Sequence, residues 1–228
     1  MASRPKVAPI TAAGRRRVEA ALDRQGLLLV QGQGDAPSVG DLLAGRPITT
    51  QGYSHDHVPA WLHAHALASQ DAIAEVKLVR GRRTLVHRRL WPAVEALARA
   101  ARAAVLSGPA DDRRRLLERV EARPGASGDD LKRDLGLDAR AFQRAKNDLC
   151  AWLTLWGEDQ PDGESDLGHT HDQRWSPWSR GKVARGVAPG DLPSVAAATS
   201  TLLAALVLPA KRPPAAARLL PALAAGGR

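Results

Sequence analysis

Four side chains between residues 140 and 147 have the chemistry to read a nucleic acid. Arg140, Gln143, Arg144 and Asn147 recur at spacings of three and four, so a helix carries them on one face. A guanidinium donates two parallel hydrogen bonds to guanine, and the carboxamide of Gln or Asn pairs with adenine. A second group of cations lies earlier in the chain. Lys77, Arg80, Arg82, Arg83, Arg88 and Arg89 place six positive charges within 13 residues. If residues 77–89 form a hairpin, these six make a basic ribbon suited to phosphate contact. The competing reading is a solvated surface, with Lys77 and Arg80 paired to Glu75 and Asp71.

Other residue groups support less. His55, Asp56, His57, His63 and His65 cluster in sequence, but His63 and His65 stand two apart and leave a helix on different faces. No cysteine or suitably spaced acid completes a metal set there, so no metal and no cofactor is expected. His169, His171 and Asp172 form a similarly weak pattern. Cys150 is the sole cysteine, which rules out a disulfide framework; beside Leu149 and Trp152 it reads as a small buried hydrophobe. Gly32 and Gly34 lack the spacing and following helix of a phosphate-binding loop, and no serine nucleophile elbow occurs. Nucleotide hydrolysis and acyl transfer are therefore disfavoured.

The elements that must position these groups follow from composition and punctuation. Apolar residues make up 44 % of the 228, yet aromatics only 4 %, so the core must be built from Leu, Val and Ala, which favours helices. The formal net charge of +9 points to a polyanionic partner. Residues 14–24 read as a helix ended by Gly26, residues 27–30 as a short strand, and residues 31–35 as a turn-prone polar loop. Residues 39–44 give one or two helical turns. Pro59 suits the first turn of a helix that continues through Ala68, and residues 71–78 continue or restart it. Gly81 turns the chain into the basic hairpin. Residues 91–105 form a helix, and Ser107-Gly108-Pro109 mark a boundary.

The clearest supersecondary signal lies beyond that boundary. Asp111 opens a helix broken at Pro124. Ser127 with Asp130 reads as a capping pair for a short helix over 128–135. Gly136 closes it, and Asp138 caps a third helix running to about Leu153. The apolar stripe Ala141, Ala145, Leu149, Trp152 and Leu153 should face the two preceding helices. A strand over 153–156, a polar loop and a returning strand over 169–175 would complete a wing. That loop carries Glu158, Asp159, Asp162, Glu164 and Asp166, which repel phosphate. Contact with DNA and contact with another protein both remain open for such a module. Residues 187–228 are rich in Ala, Pro and Leu with no acid after Asp191. The apolar stretch 192–208 is too short and too interrupted for a membrane span, and the charged start of the chain lacks the apolar run of a signal peptide; a cytoplasmic location is expected.

Several segments together resemble the AlkZ/YcaQ-type winged-helix DNA glycosylases, especially the shorter AlkZ-related proteins. They are residues 43–47, residues 57–61, the block Val76 to Val86, Leu90-Trp91-Pro92-Ala93, the helix-turn-helix of residues 127–153, and Trp175-Ser176-Pro177-Trp178. The resemblance covers about residues 15–180. It implies that Gln31 and Gln33, in the form Gln-x-Gln after an apolar run, position a water to attack the anomeric carbon of an N7-alkylated purine nucleotide.

The expected fold is thus mainly α with small β-hairpins. Residues 1–107 form an N-terminal α/β region with room for a degenerate winged helix, residues 108–180 a winged helix-turn-helix domain, and residues 181–228 an Ala/Pro-rich tail. The expected partner is double-stranded DNA and no membrane, in a role linked to DNA repair; a non-catalytic transcriptional regulator or a protein-interaction winged helix is the alternative.

Overall fold

A computed structural model describes residues 10–32, 38–48, 58–158, 174–206 and 216–225. The described chain is mostly helical with two small antiparallel sheets. The first six elements are α1 (Ala12–Gln25), β1 (Leu27–Leu29), α2 (Val39–Ala44), α3 (Val58–Ala68), β2 (Ile73–Val79) and β3 (Arg82–His87). After α4 (Trp91–Ser107), the same order of types recurs in α5 (Asp112–Ala122), β4 (Ala126–Ser127), α6 (Gly128–Leu135), α7 (Ala139–Ala151), β5 (Leu155–Glu158) and β6 (Arg174–Pro177). Both sheets share one strand order, first–third–second, as β1-β3-β2 and β4-β6-β5. Three short helices follow: α8 (Lys182–Arg185), α9 (Val195–Ala205) and α10 (Ala216–Leu219).

The first sheet is a wall between two cores. Successive strand residues point to opposite faces, so Leu27 and Leu29 enter one core while Leu28 and Val30 enter the other. Ala74, Val76, Leu78 and Val86 join the first of these, and Ile73 and Leu85 the second. This two-sided burial explains the uninterrupted run Leu27-Leu28-Leu29-Val30. The smaller core is closed by Val18, Ala21 and Leu22 of α1 and by Ala60, Ala64 and Leu67 of α3. The larger continues through α4 into the second six-element unit. α4 buries nine of its residues, seven of them in its first eight positions, where neighbours enclose it, while Arg99 and Arg102 farther along stay exposed. The hydrophobic core therefore does not divide at residues 107–108, where the sequence places a boundary.

Two further expectations are corrected. Residues 71–78 were expected to be helical, but Ile73–Val79 is a strand, in register with β3 from Ile73↔His87 to Lys77↔Arg83. Ala, Glu, Lys and Leu favour a helix locally, and cross-strand pairing overrides them. Residues 181–228, expected as a tail, contribute Val183, Ala198, Leu202, Leu219 and Leu220 to the larger core, each at most 1 % exposed. α9 packs along α4. Lys182 ties this region to the first unit: its ammonium donates to the carbonyls of Ala68 and Ile73, both at 2.9 Å, and to that of Gln70. A buried carboxylate makes a second tie. Glu95 on α4 accepts from Trp178 Nε1 at 2.7 Å and from Arg99 Nε at 2.7 Å. No described helix is long and apolar enough to cross a membrane.

Candidate nucleic-acid interface

α7 is fixed by local chemistry at its start and by packing along one side. The Asp138 carboxylate caps it, accepting the Ala141 N–H at 2.7 Å, and that bond holds the carboxyl below the usual carboxylate range. The turn from α6 is equally defined. Ser127 accepts the Asp130 N–H at 3.1 Å, and Gly136 ends α6 in the left-handed region at φ 63°, where a side chain would be strained. Phe142, Ala145, Leu149 and Cys150 bury the inner face. Trp152 and Leu153 are buried too, although they lie just past the end of the helix. Burial pushes the Cys150 thiol up, which suits an inert core residue.

The outer face carries Arg140, Gln143, Arg144 and Asn147, all exposed. Two hydrogen bonds order part of it. Lys146 Nζ donates to Gln143 Oε1 at 2.8 Å, and Gln143 Nε2 donates to Asn147 Oδ1 at 3.1 Å. Lys146 also sits 5.2 Å from the centre of the Trp175 ring on β6, a cation–π distance. Its ammonium is lowered from the ordinary lysine value, chiefly by burial, with the Lys77 charge adding to the effect. Sequence reasoning passed over Lys146, which lies between the buried and exposed faces; its spacing of three from Gln143 was the available signal.

The basic ribbon is divided. β2 packs on α7, and the hairpin turn abuts the end of that helix. A Cβ on Gly81 would stand 3.2 Å from that of Ala151. Arg80 and Gly81 both have positive φ, 51° and 68°, as a two-residue hairpin turn requires. The Arg80 N–H donates to the Leu219 carbonyl at 2.7 Å. Lys77 and Arg83 face each other across the strands. Arg83 also forks onto Glu75, with its Nη2 2.9 Å from Oε2. Arg88 and Arg89 lie at the opposite end of the hairpin, roughly 20 Å away for six strand residues. There Arg89 donates to the Asp23 carbonyl. The structure thus brings Lys77 and the Arg80-Gly81 turn to α7, pairs Arg83 with Glu75, and leaves Arg88 and Arg89 apart.

The first unit differs at the matching helix. α3 contains no Lys or Arg, and its exposed positions are Leu62, His65 and Ala66. His63 is buried at 7 % exposure, and its Nε2 has no hydrogen-bond partner among the described residues. Burial lowers its pKa, Glu19 opposes that shift and Arg15 reinforces it. Gln31 is half-buried, and its Nε2 likewise lacks a partner among the described residues. Next to it, a Cβ on Gly32 would lie 2.4 Å from Asp41 Oδ2 and 2.9 Å from Ser38 Oγ, so a side chain there would have to displace the Ser38–Asp41 pair. Gln33, the loop 159–173, and His55, His57, His169 and His171 lie outside the described residues. No protein-family model, curated protein or solved structure matches the chain.

Proposed function

We propose that the protein binds duplex DNA as a tandem winged helix, with α7 as the helix that enters the major groove. The order helix–strand–helix–helix–strand–strand, with a first–third–second sheet, is that of a winged helix, and its repetition supports two copies. The observation that carries the functional reading is the outer face of α7. Arg140, Gln143, Arg144 and Asn147 stand exposed on a capped helix whose other face is locked in the core, in the third-helix position that such modules use for base contact. The absence of cations from α3 supports giving this role to the second unit.

The test is a fluorescence-anisotropy titration of a labelled duplex with wild type, Arg140→Ala and Arg144→Ala. Each substitution is expected to weaken binding by about 1–3 kcal/mol if it removes a bidentate base contact. Phosphate contacts made beside the base contacts should lower log K as log salt rises, by roughly 0.9 in slope for each phosphate neutralised. Unchanged affinity in both variants, or a flat salt response, would refute the reading and favour a protein partner.

A second reading rests on Gln31 and the resemblance to the AlkZ/YcaQ-type glycosylases. The Gln31 Nε2, buried and without a partner among the described residues, supports this reading: with Gln33 it would hold a water for cleavage of the N-glycosidic bond of an alkylated purine. Release of N7-methylguanine from alkylated DNA, abolished in Gln31→Ala and Gln33→Ala, is the outcome expected of that reading. No release by the wild type removes it and leaves DNA binding without chemistry.

A further inference from the structure

We propose that the β2–β3 hairpin of the first unit acts as the phosphate-gripping wing for the helix of the second, so that one duplex is held across both units. This deepens the DNA-binding reading above and rests on it.

A winged helix ordinarily follows its recognition helix with its own basic wing. Here the segment joining β5 to β6 contains Asp159, Asp162, Glu164 and Asp166 and no Lys or Arg, which suits phosphate poorly. The cations lie instead on the other unit's hairpin, and that hairpin is seated against α7. Its turn meets Ala151 on one side and is pinned through the Arg80 N–H to Leu219 on another. The Lys77 charge is felt at both Lys146 and Cys150 on α7. Lys146 is in turn bonded to Gln143. Cations of the first unit's hairpin and of α7 therefore meet at Lys77 and Lys146, and Lys146 borders the outer face of α7 at Gln143 and Asn147. The hairpin is held before any ligand arrives, so little ordering free energy is lost on binding. A contact to phosphate carries no sequence information, so the hairpin should set affinity and register while α7 sets preference among sequences.

The experiment measures the salt dependence of duplex binding for the full chain. Lys77→Gln combined with Arg80→Asn removes two charges and keeps a residue that tolerates the left-handed turn. The expected result is weaker binding to every duplex sequence, unchanged sequence preference, and a salt slope shallower by about 1.8. Lys77→Arg should keep the wild-type slope. Arg88→Gln with Arg89→Gln, at the far end of the hairpin, should also keep it. Three outcomes overturn the inference. If the α7 variants weaken binding while the Lys77/Arg80 variant keeps the slope, the hairpin takes no part and DNA binding through α7 stands. If the Arg88/Arg89 variant lowers the slope equally, net charge rather than placement is responsible. If neither α7 nor hairpin variants alter binding, this inference and the reading beneath it fall together. Thermal melts of each variant separate lost contacts from lost folding.

Discussion

Removing the Glu95 carboxylate should strip the larger core of the one acid buried among the described residues and expose how much it holds together. Glu95 is 3 % exposed and bridges α4 to Trp178, just past β6, through a 2.7 Å bond from the indole N–H. Glu95→Ala leaves that buried donor without an acceptor, which costs about 1–3 kcal/mol. The ion pair with Arg99 adds little, about 0.3–0.5 kcal/mol, because Arg99 is half exposed at 49 %. Together the loss is about 1.3–3.5 kcal/mol, or roughly 3–14 °C in Tm for a chain of this size. Glu95→Gln keeps an oxygen acceptor and should cost less. The decisive assay is a double-mutant cycle in urea, with Trp178→Phe as the second substitution. Once the indole N–H is gone, Glu95→Ala should become cheaper by about 1 kcal/mol or more. If the two substitutions add to within about 0.3–0.5 kcal/mol, the bond contributes nothing and the reasoning fails.

Acidification should weaken the first unit through His63. Burial lowers its pKa below the ordinary 6.5, so the unfolded chain takes up the proton first. Stability is full above about pH 6.5 and is lost as the pH falls from there through the depressed folded value. The urea midpoint should therefore drop between pH 7.5 and 5.5, above the carboxylate range, and drop less in His63→Leu; an identical drop in the variant would count against it. Gly186→Ala should destabilise by about 1–3 kcal/mol through overpacking. Its Cβ would lie 2.4 Å from Trp91 Cζ3, and that ring is tethered by its own bond to the Val86 carbonyl at 3.1 Å. A denaturation midpoint equal to wild type would show that the ring can move.

The second unit was legible because its signals are local. Ser127 with Asp130, Gly136 and Asp138 each specify a helix end from side chains within three residues, and α6 spans Gly128–Leu135 as expected. The face Arg140, Gln143, Arg144 and Asn147 follows from periodicity alone. What escaped depends on distant partners. The strand character of residues 73–76 is imposed by β3, and the places of residues 195–205 and 221–224 by α4, neither of which is written in the local composition. The buried face of α7 also shifted, with Phe142 rather than Ala141 inward. The six hairpin cations form one group in sequence and two in space, since a strand spreads neighbours along its length. Lys146 and Glu95 were both overlooked, single charged residues beside apolar ones whose partners lie on other elements.

The bond between the Arg80 N–H and the Leu219 carbonyl bears on the order in which the protein assembles. A tight hairpin closes within microseconds once its residues are free, so β2 and β3 can pair early in synthesis. Their seat is finished only when residue 219 has emerged. The same holds for α3, whose last carbonyl, that of Ala68, waits for Lys182. Early elements thus receive their final fastening from late ones, a pattern of long-range closure that slows folding. Fluorescent reporters on the hairpin turn should register pairing and docking as two separate kinetic events.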